Sequence, residues 1–223
     1  MENTAEDKFP YGKDNKERLP WEHYLSLYEK ADPQEIAQRL RIVYDEAAKS
    51  FQVEFLGSVY AVTWPDFQVT HQEDDMGYYP LEDMIAAKIL VIRYLLKGED
   101  SFPSGNFVAY SDMPWGNVYQ KQFHGRCILR LAYGFGNKLD RFAKVLERMK
   151  GEKLELGDIS YEICLIGRYY VRYILWEGDD EFPPSSQIIF SDNFPHAFEA
   201  EDIAVVGDVT IGMMKALEKM LKA

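Results

Sequence analysis

Cysteine is scarce in this chain, with only Cys127 and Cys164 among 223 residues. Two isolated thiols argue against a disulfide framework, and they read as small core residues in a reducing cytosol. Positive charge is also in deficit, since 25 Lys and Arg face 37 Asp and Glu for a net charge of -12. That balance opposes nucleic-acid phosphates and anionic membranes, and favours solubility, a basic partner or a bound metal. Long apolar runs are missing as well. The most apolar stretch, 84–96, is interrupted by Lys88 and Arg93 and is too short to span a bilayer. The N-terminal stretch is polar and charged from its first residues, without an apolar signal core. The expectation is a cytoplasmic protein that engages neither nucleic acid nor membrane.

Apolar and aromatic residues are plentiful. Hydrophobic residues make up 47% and aromatics 14%, which excludes wholesale disorder in a chain long enough to bury a sizeable core. Residues 1–18 read as a flexible polar tail ahead of one domain over 19–223. Residues 21–29 read as helical. A second helix starts at Asp32-Pro33-Gln34-Glu35, with an N-cap aspartate and a proline at the first helical position. Its apolar positions are Ile36, Leu40, Val43 and Ala47.

The period then becomes two. Phe51, Val53 and Phe55 alternate with polar residues, Gly57-Ser58 turns, and Val59, Ala61 and Thr63 return. The same arrangement recurs at Tyr161, Ile163 and Leu165, then Gly167-Arg168, then Tyr169, Val171, Tyr173 and Leu175. A Gly-X pair between alternating runs predicts type II′ hairpins. With apolar helices after each, this suggests a duplicated hairpin-loop-helix unit over 50–97 and 160–221. A second echo links 98–112 to 178–192, each carrying Phe-Pro and ending in Ser-Asp, as a corner feeding an edge strand would. Helices are predicted over 81–97, over 117–133 with Gly134 as a stop, and over 139–149 with Gly151 as the cap. The last helix presents Met213, Met214, Leu217, Met220 and Leu221. Strands mixed with helix pairs predict an α+β fold, an antiparallel sheet built from two related β-hairpins with helices packed against it.

The chain resembles a family of bacterial and archaeal proteins catalogued as domain of unknown function 3786. The likeness is carried by Tyr94-Leu95-Leu96, Phe123, Gly157-Asp158, the run Trp176-Glu177-Gly178-Asp179-Asp180-Glu181-Phe182-Pro183, and His196 followed by Glu201-Asp202. It extends from about residue 30 onward. The resemblance implies the company of anaerobic metabolism, some members being fused to an iron–sulfur module like that of corrinoid proteins. This chain has no cysteine cluster, so no iron–sulfur cluster of its own is expected.

Candidate ligating residues are Asp179, Asp180, Glu181, His196, Glu199, Glu201 and Asp202, beside Glu177. Their oxygens suit a hard divalent metal, and one imidazole tilts the choice towards Zn²⁺, Mn²⁺ or Fe²⁺. Gly-Asp-Asp is equally turn chemistry, and acidic residues at a helix start equally satisfy its amides. Cys127 falls on an apolar stripe with Phe123 and Leu131, the pattern of inert core packing despite nearby His124. The serines lack a histidine at any motif spacing. The favoured class is therefore a non-enzymatic binding or accessory module with a protein or small-molecule partner, within metal- or corrinoid-dependent metabolism as the family's company implies. The alternative is a metal-dependent enzyme using 177–181 and 196–202.

Overall fold

The computed structural model describes residues 15–73 and 75–221. Of the tail expected over 1–18, residues 1–14 lie outside them, and 15–18 belong to a helix, α1 (Asn15–Tyr28). Pro20 is its sixth residue, where the missing amide hydrogen forgoes one bond to the preceding turn. Arg18 and Glu22, 2.8 Å apart and one turn on, support the same segment. Helix α2 (Pro33–Leu40) begins as the sequence predicts, with Asp32 accepting the Gln34 amide at 2.8 Å. It stops earlier than expected. Arg41 adopts φ 53, so Val43 and Ala47 lie beyond the helix and are exposed.

Strands β1 (Tyr44–Asp45), β2 (Ser50–Phe55), β3 (Ser58–Thr63) and β4 (Val69–His71) follow. The expected hairpin forms, but its turn is Leu56-Gly57 rather than Gly57-Ser58, since Phe55 pairs with Ser58. Both turn residues have positive φ, 50 and 83, which is the type I′ geometry. The shift reverses the face of the returning strand. Ser58, Tyr60 and Val62 point into the core, while Val59, Ala61 and Thr63 point outward. The expected single helix over 81–97 is two pieces, α3 (Pro80–Asp83) and α4 (Ile85–Lys97), separated by an extended Met84.

A short β5 (Phe107–Ala109) leads to α5 (Gly116–Phe123), a π turn (His124–Ile128) and α6 (Leu129–Phe135), which run on from one another. Gly134 therefore lies within the helical run instead of stopping it. Helix α7 (Leu139–Arg148) ends with Lys150 at φ 59, and Gly151 donates back to the Leu146 carbonyl at 2.8 Å. The left-handed position is thus held by Lys150, one residue before the glycine expected to take it. Strands β6 (Glu152–Leu154), β7 (Ile159–Ile166), β8 (Tyr169–Trp176) and β9 (Ser185–Ser191) precede the long terminal helix α8 (Ala200–Met220).

The fold is α+β. Among the described residues nine strands form one sheet in which every pairing is antiparallel, in the order β4-β3-β2-β7-β8-β9-β5, with β1 on β2 and β6 on β7. The two hairpins meet at the centre, where Phe55 pairs with Ile166 and the Leu56 amide donates to the Leu165 carbonyl at 2.9 Å. On either side of this seam a three-stranded meander leads towards a long helix, α4 or α8, and those two helices touch. The turns of the meanders are unlike. The second uses Gly167 at φ 58 followed by Arg168, as expected for type II′, and carries a bulge between Cys164 and Ile166. The echoing segments 98–112 and 178–192 place neighbouring strands, β5 at the sheet edge and β9 inside it.

Helix α8 lies among the helices, touching α4, α5, the π turn, α6 and α7. Its Val206, Val209, Met213, Met214 and Leu217 are fully buried. The sheet contributes Tyr161, Ile163, Tyr169, Val171 and Tyr173 to the same core. No helix among the described residues is long and apolar enough to cross a membrane.

Candidate functional site

A cleft of about 800 Å³ opens between α1, α4, α8, the π turn and the start of α6. Its floor is apolar, made by Met84, Ala86, Ile89, Leu90, Val205 and Val209. Its rim is charged, with Arg93, Arg126 and Arg130 facing Glu17, Glu201, Asp202 and Asp208. Alternation of an apolar floor and a few convergent polar groups is the usual make-up of a small-molecule site.

Arg93 is the charge that interrupts the apolar run of α4, and it is only 9% exposed. Its guanidinium bonds Asp202 at 2.8 Å and Glu199 at 3.1 Å, and lies 5.0 Å from the centroid of the Tyr24 ring on α1. Asp202 is buried and also accepts the Glu199 amide at 3.0 Å, forming half of the capping box that starts α8. Burial raises its pKa to about 6, although Arg93 and the Glu199 amide pull the other way. This carboxylate serves helix capping and ion pairing at once.

The opposite wall is built by the π turn and the start of α6, which carry Arg126 and Arg130. A π turn inserts a residue into the helical ladder and re-aims the side chains around it. Phe123, Cys127 and Leu131 remain in one buried row, while Arg126 and Arg130 both bond Asp208 of α8, Arg130 at 3.3 Å. The close approach depends on Gly207, where a Cβ would stand 2.6 Å from the Cys127 sulfur. Cys127 donates to the Ala204 carbonyl at 3.6 Å, and burial pushes its thiol up to about 12. A thiol so held is a packing group and no nucleophile at neutral pH. Burial likewise pushes Cys164 up to about 12.

The residues singled out from the sequence fall into two groups that the fold keeps apart. Asp179 closes its own turn, accepting the amides of Glu181 at 2.8 Å and Phe182 at 2.7 Å, which hold its carboxyl below the ordinary range. Asp180 and Glu181 are exposed beside it, and the Glu177 amide donates to Asp158 at 2.8 Å. His196 lies past the other end of β9, in a turn where its Nδ1 is 2.7 Å from the Ser101 hydroxyl. That strand separates them by roughly 20 Å at about 3.3 Å per residue. Glu199 and Asp202 turn to Arg93, and Glu201 lines the cleft. The seven candidates therefore do not surround a common point, and among the described residues no group of three or more His, Cys, Asp or Glu is placed to hold a metal ion. Of the seven, only Glu201 and Asp202 line the cleft. Sequence reasoning passed over Arg93, Arg126, Arg130 and Asp208; the available signal was a charge inside an otherwise apolar helix, which a buried setting must pair.

An antiparallel sheet with a charged, apolar-floored cleft among its helices defines the molecule as an α+β protein with a small-molecule-sized concavity. The chain belongs to the family described as domain of unknown function (DUF3786), whose pattern matches residues 32–213. No curated protein and no solved structure matches it.

Proposed function

We propose that this chain is a non-enzymatic binding or accessory module of the cytoplasm, and that the cleft between α1, α4, α8 and the π turn receives a small amphipathic ligand. The observation that carries this reading is the pairing of apolar floor and charged rim in one concavity of ligand size. A ligand with an apolar body and a polar end would cover Met84, Ile89 and Val205 while exchanging hydrogen bonds with Arg126, Arg130 or Glu201. The rim charges support binding more than chemistry. Arg93 is paired with Asp202, Arg126 of the π turn and Arg130 of α6 are paired with Asp208, and the adjacent thiol of Cys127 is sealed. The alternative of a metal-dependent enzyme needs the acidic loop and His196 around one ion, and β9 holds those groups apart.

Native mass spectrometry of the untagged protein, followed by thermal-shift titration with whatever co-purifies, tests the reading. Ala86→Trp fills the floor from a half-exposed position and should abolish the shift while leaving the circular dichroism unchanged. Equal binding by wild type and Ala86→Trp would refute the cleft as the site.

A further inference from the structure

The stretch between Asp112 and Asp140 contains no carboxylate, in a chain with 37 of them, and it carries Lys121, Arg126, Arg130 and Lys138. Arg126 and Arg130 share the single carboxylate of Asp208 and Lys138 lies 3.6 Å from Glu218, so the charge left facing outward is that of Lys121. It is also where apolar side chains face water. Trp115 is 79% exposed, and Val118, Tyr119, Leu129 and Tyr133 are exposed with it along α5, the π turn and α6. Trp115 adopts φ 64, a left-handed conformation that is costly for a residue with a Cβ. Such a helix face offers exposed Trp and Tyr, two of the residue types that dominate binding energy at interfaces.

The complementary surface is on the same molecule. The loop after β8 exposes Glu177, Asp179, Asp180 and Glu181, followed by Phe182 at 68% exposure. It is preformed, because Asp179 accepts the Glu181 and Phe182 amides while its own amide donates to the Phe182 carbonyl at 2.9 Å. Preformed segments lose little freedom on binding. The loop also borders the end of the basic helix. Gly136 lies so close to Pro184 that a Cβ there would stand 2.3 Å from the proline ring, and Ser186 bonds the Ile128 carbonyl at 2.8 Å.

We propose that this face is a self-association surface, in which the acidic Phe182 loop of one copy seats on the basic aromatic helix of a second copy and receives that copy's loop in return. One loop on one helix would fall short of the roughly 800 Å² per partner that a stable interface buries, so the contact must be reciprocal. Two-fold symmetry supplies this, because loop and helix lie side by side and each contact is then made twice. Asp180, Glu181 and Lys121 form no ion pair within their own chain among the described residues, so their charges are available to the partner.

Sedimentation equilibrium of the full chain tests this through paired charge reversals at exposed positions. Variant one is Lys121→Glu with Gln122→Glu, and variant two is Asp180→Lys with Glu181→Lys. Wild type should sediment at twice the chain mass, with an affinity that weakens roughly tenfold or more in high salt, as screened charge pairs require. Each variant alone should be monomeric, and an equimolar mixture should regain the dimer, since both contacts are then restored. Trp115→Ser should weaken the dimer without altering the circular dichroism. A wild type that is monomeric up to high concentration, or a dimer indifferent to both reversals, would overturn the proposal.

Discussion

Asp202 concentrates several demands on one side chain. Its carboxylate caps α8, pairs with Arg93 and is withdrawn from water, and burial dominates, raising its pKa from 3.8 to about 6. A raised acid pKa means that the folded protein holds this proton more tightly than the unfolded chain does. The native state is therefore relatively favoured below about pH 4 at this site, and loses that advantage as pH rises through about 6. The contribution is on the order of 2–3 kcal/mol at most. Urea unfolding between pH 4 and 7 should show wild type losing stability across this window relative to Asp202→Asn, which has no proton to release. Arg93→Met leaves the carboxylate buried and unpaired and should cost about 3–5 kcal/mol at pH 7. Equal stability of Arg93→Met and wild type in that experiment would remove the ion pair from the account.

Two close approaches decide how elements meet. Gly207 lets α8 touch the π turn, so Gly207→Ala should cost about 1–3 kcal/mol by overpacking against Cys127. Cys127→Ala removes the sulfur that a new Cβ would strike, and the double variant should be less destabilised than the sum of the singles. Strict additivity would mean the two helices do not touch there. Gly57 does the same for the first hairpin, since a Cβ would lie 2.7 Å from the Met149 carbonyl at a φ of 83. Gly57→Val should therefore cost on the order of 1–3 kcal/mol. Lys150→Gly should instead stabilise by roughly 0.5–1 kcal/mol, since glycine accepts the left-handed backbone that lysine holds under strain. Both shifts are read from chemical denaturation midpoints.

At this scale the sequence was readable where one local rule governed. Asp32-Pro33 announced a helix start, and alternation at Phe51, Val53 and Phe55 announced a strand, because a cap and a pleat depend on neighbours in the chain. The return strand was misread by one position. Leu56 takes a positive φ that its residue type does not advertise, and a single slip reverses every side chain after it. The π turn was hidden for a similar reason, since Phe123, Cys127 and Leu131 keep a regular spacing through it. The cleft was illegible because its walls come from residue 17 to residue 209, and only packing brings them together. The acidic loop was conspicuous, yet its carboxylates serve a turn.

Across the whole molecule, charge acts as a field rather than at one point. A net charge of -12 opposes compaction through self-repulsion, which salt relieves. The acidic loop and His196 sit past opposite ends of β9, so a divalent cation has no shared site among the residues first suspected of holding it. In protein dilute enough to be monomeric, melting should consequently rise with ionic strength and ignore the identity of the cation. A bound ion would behave otherwise, adding RT ln(1 + [L]/Kd), roughly 2.7 kcal/mol at a hundredfold excess over Kd. The measurement is a set of melting curves in NaCl, CaCl₂ and MnCl₂ at matched ionic strength. For wild type, for Asp180→Asn and for His196→Ala alike, the three curves should coincide with one another at each ionic strength. An extra rise in Ca²⁺ or Mn²⁺ that either substitution removes would show that these distant groups do converge on a metal in solution, and that the arrangement around β9 differs from the one described.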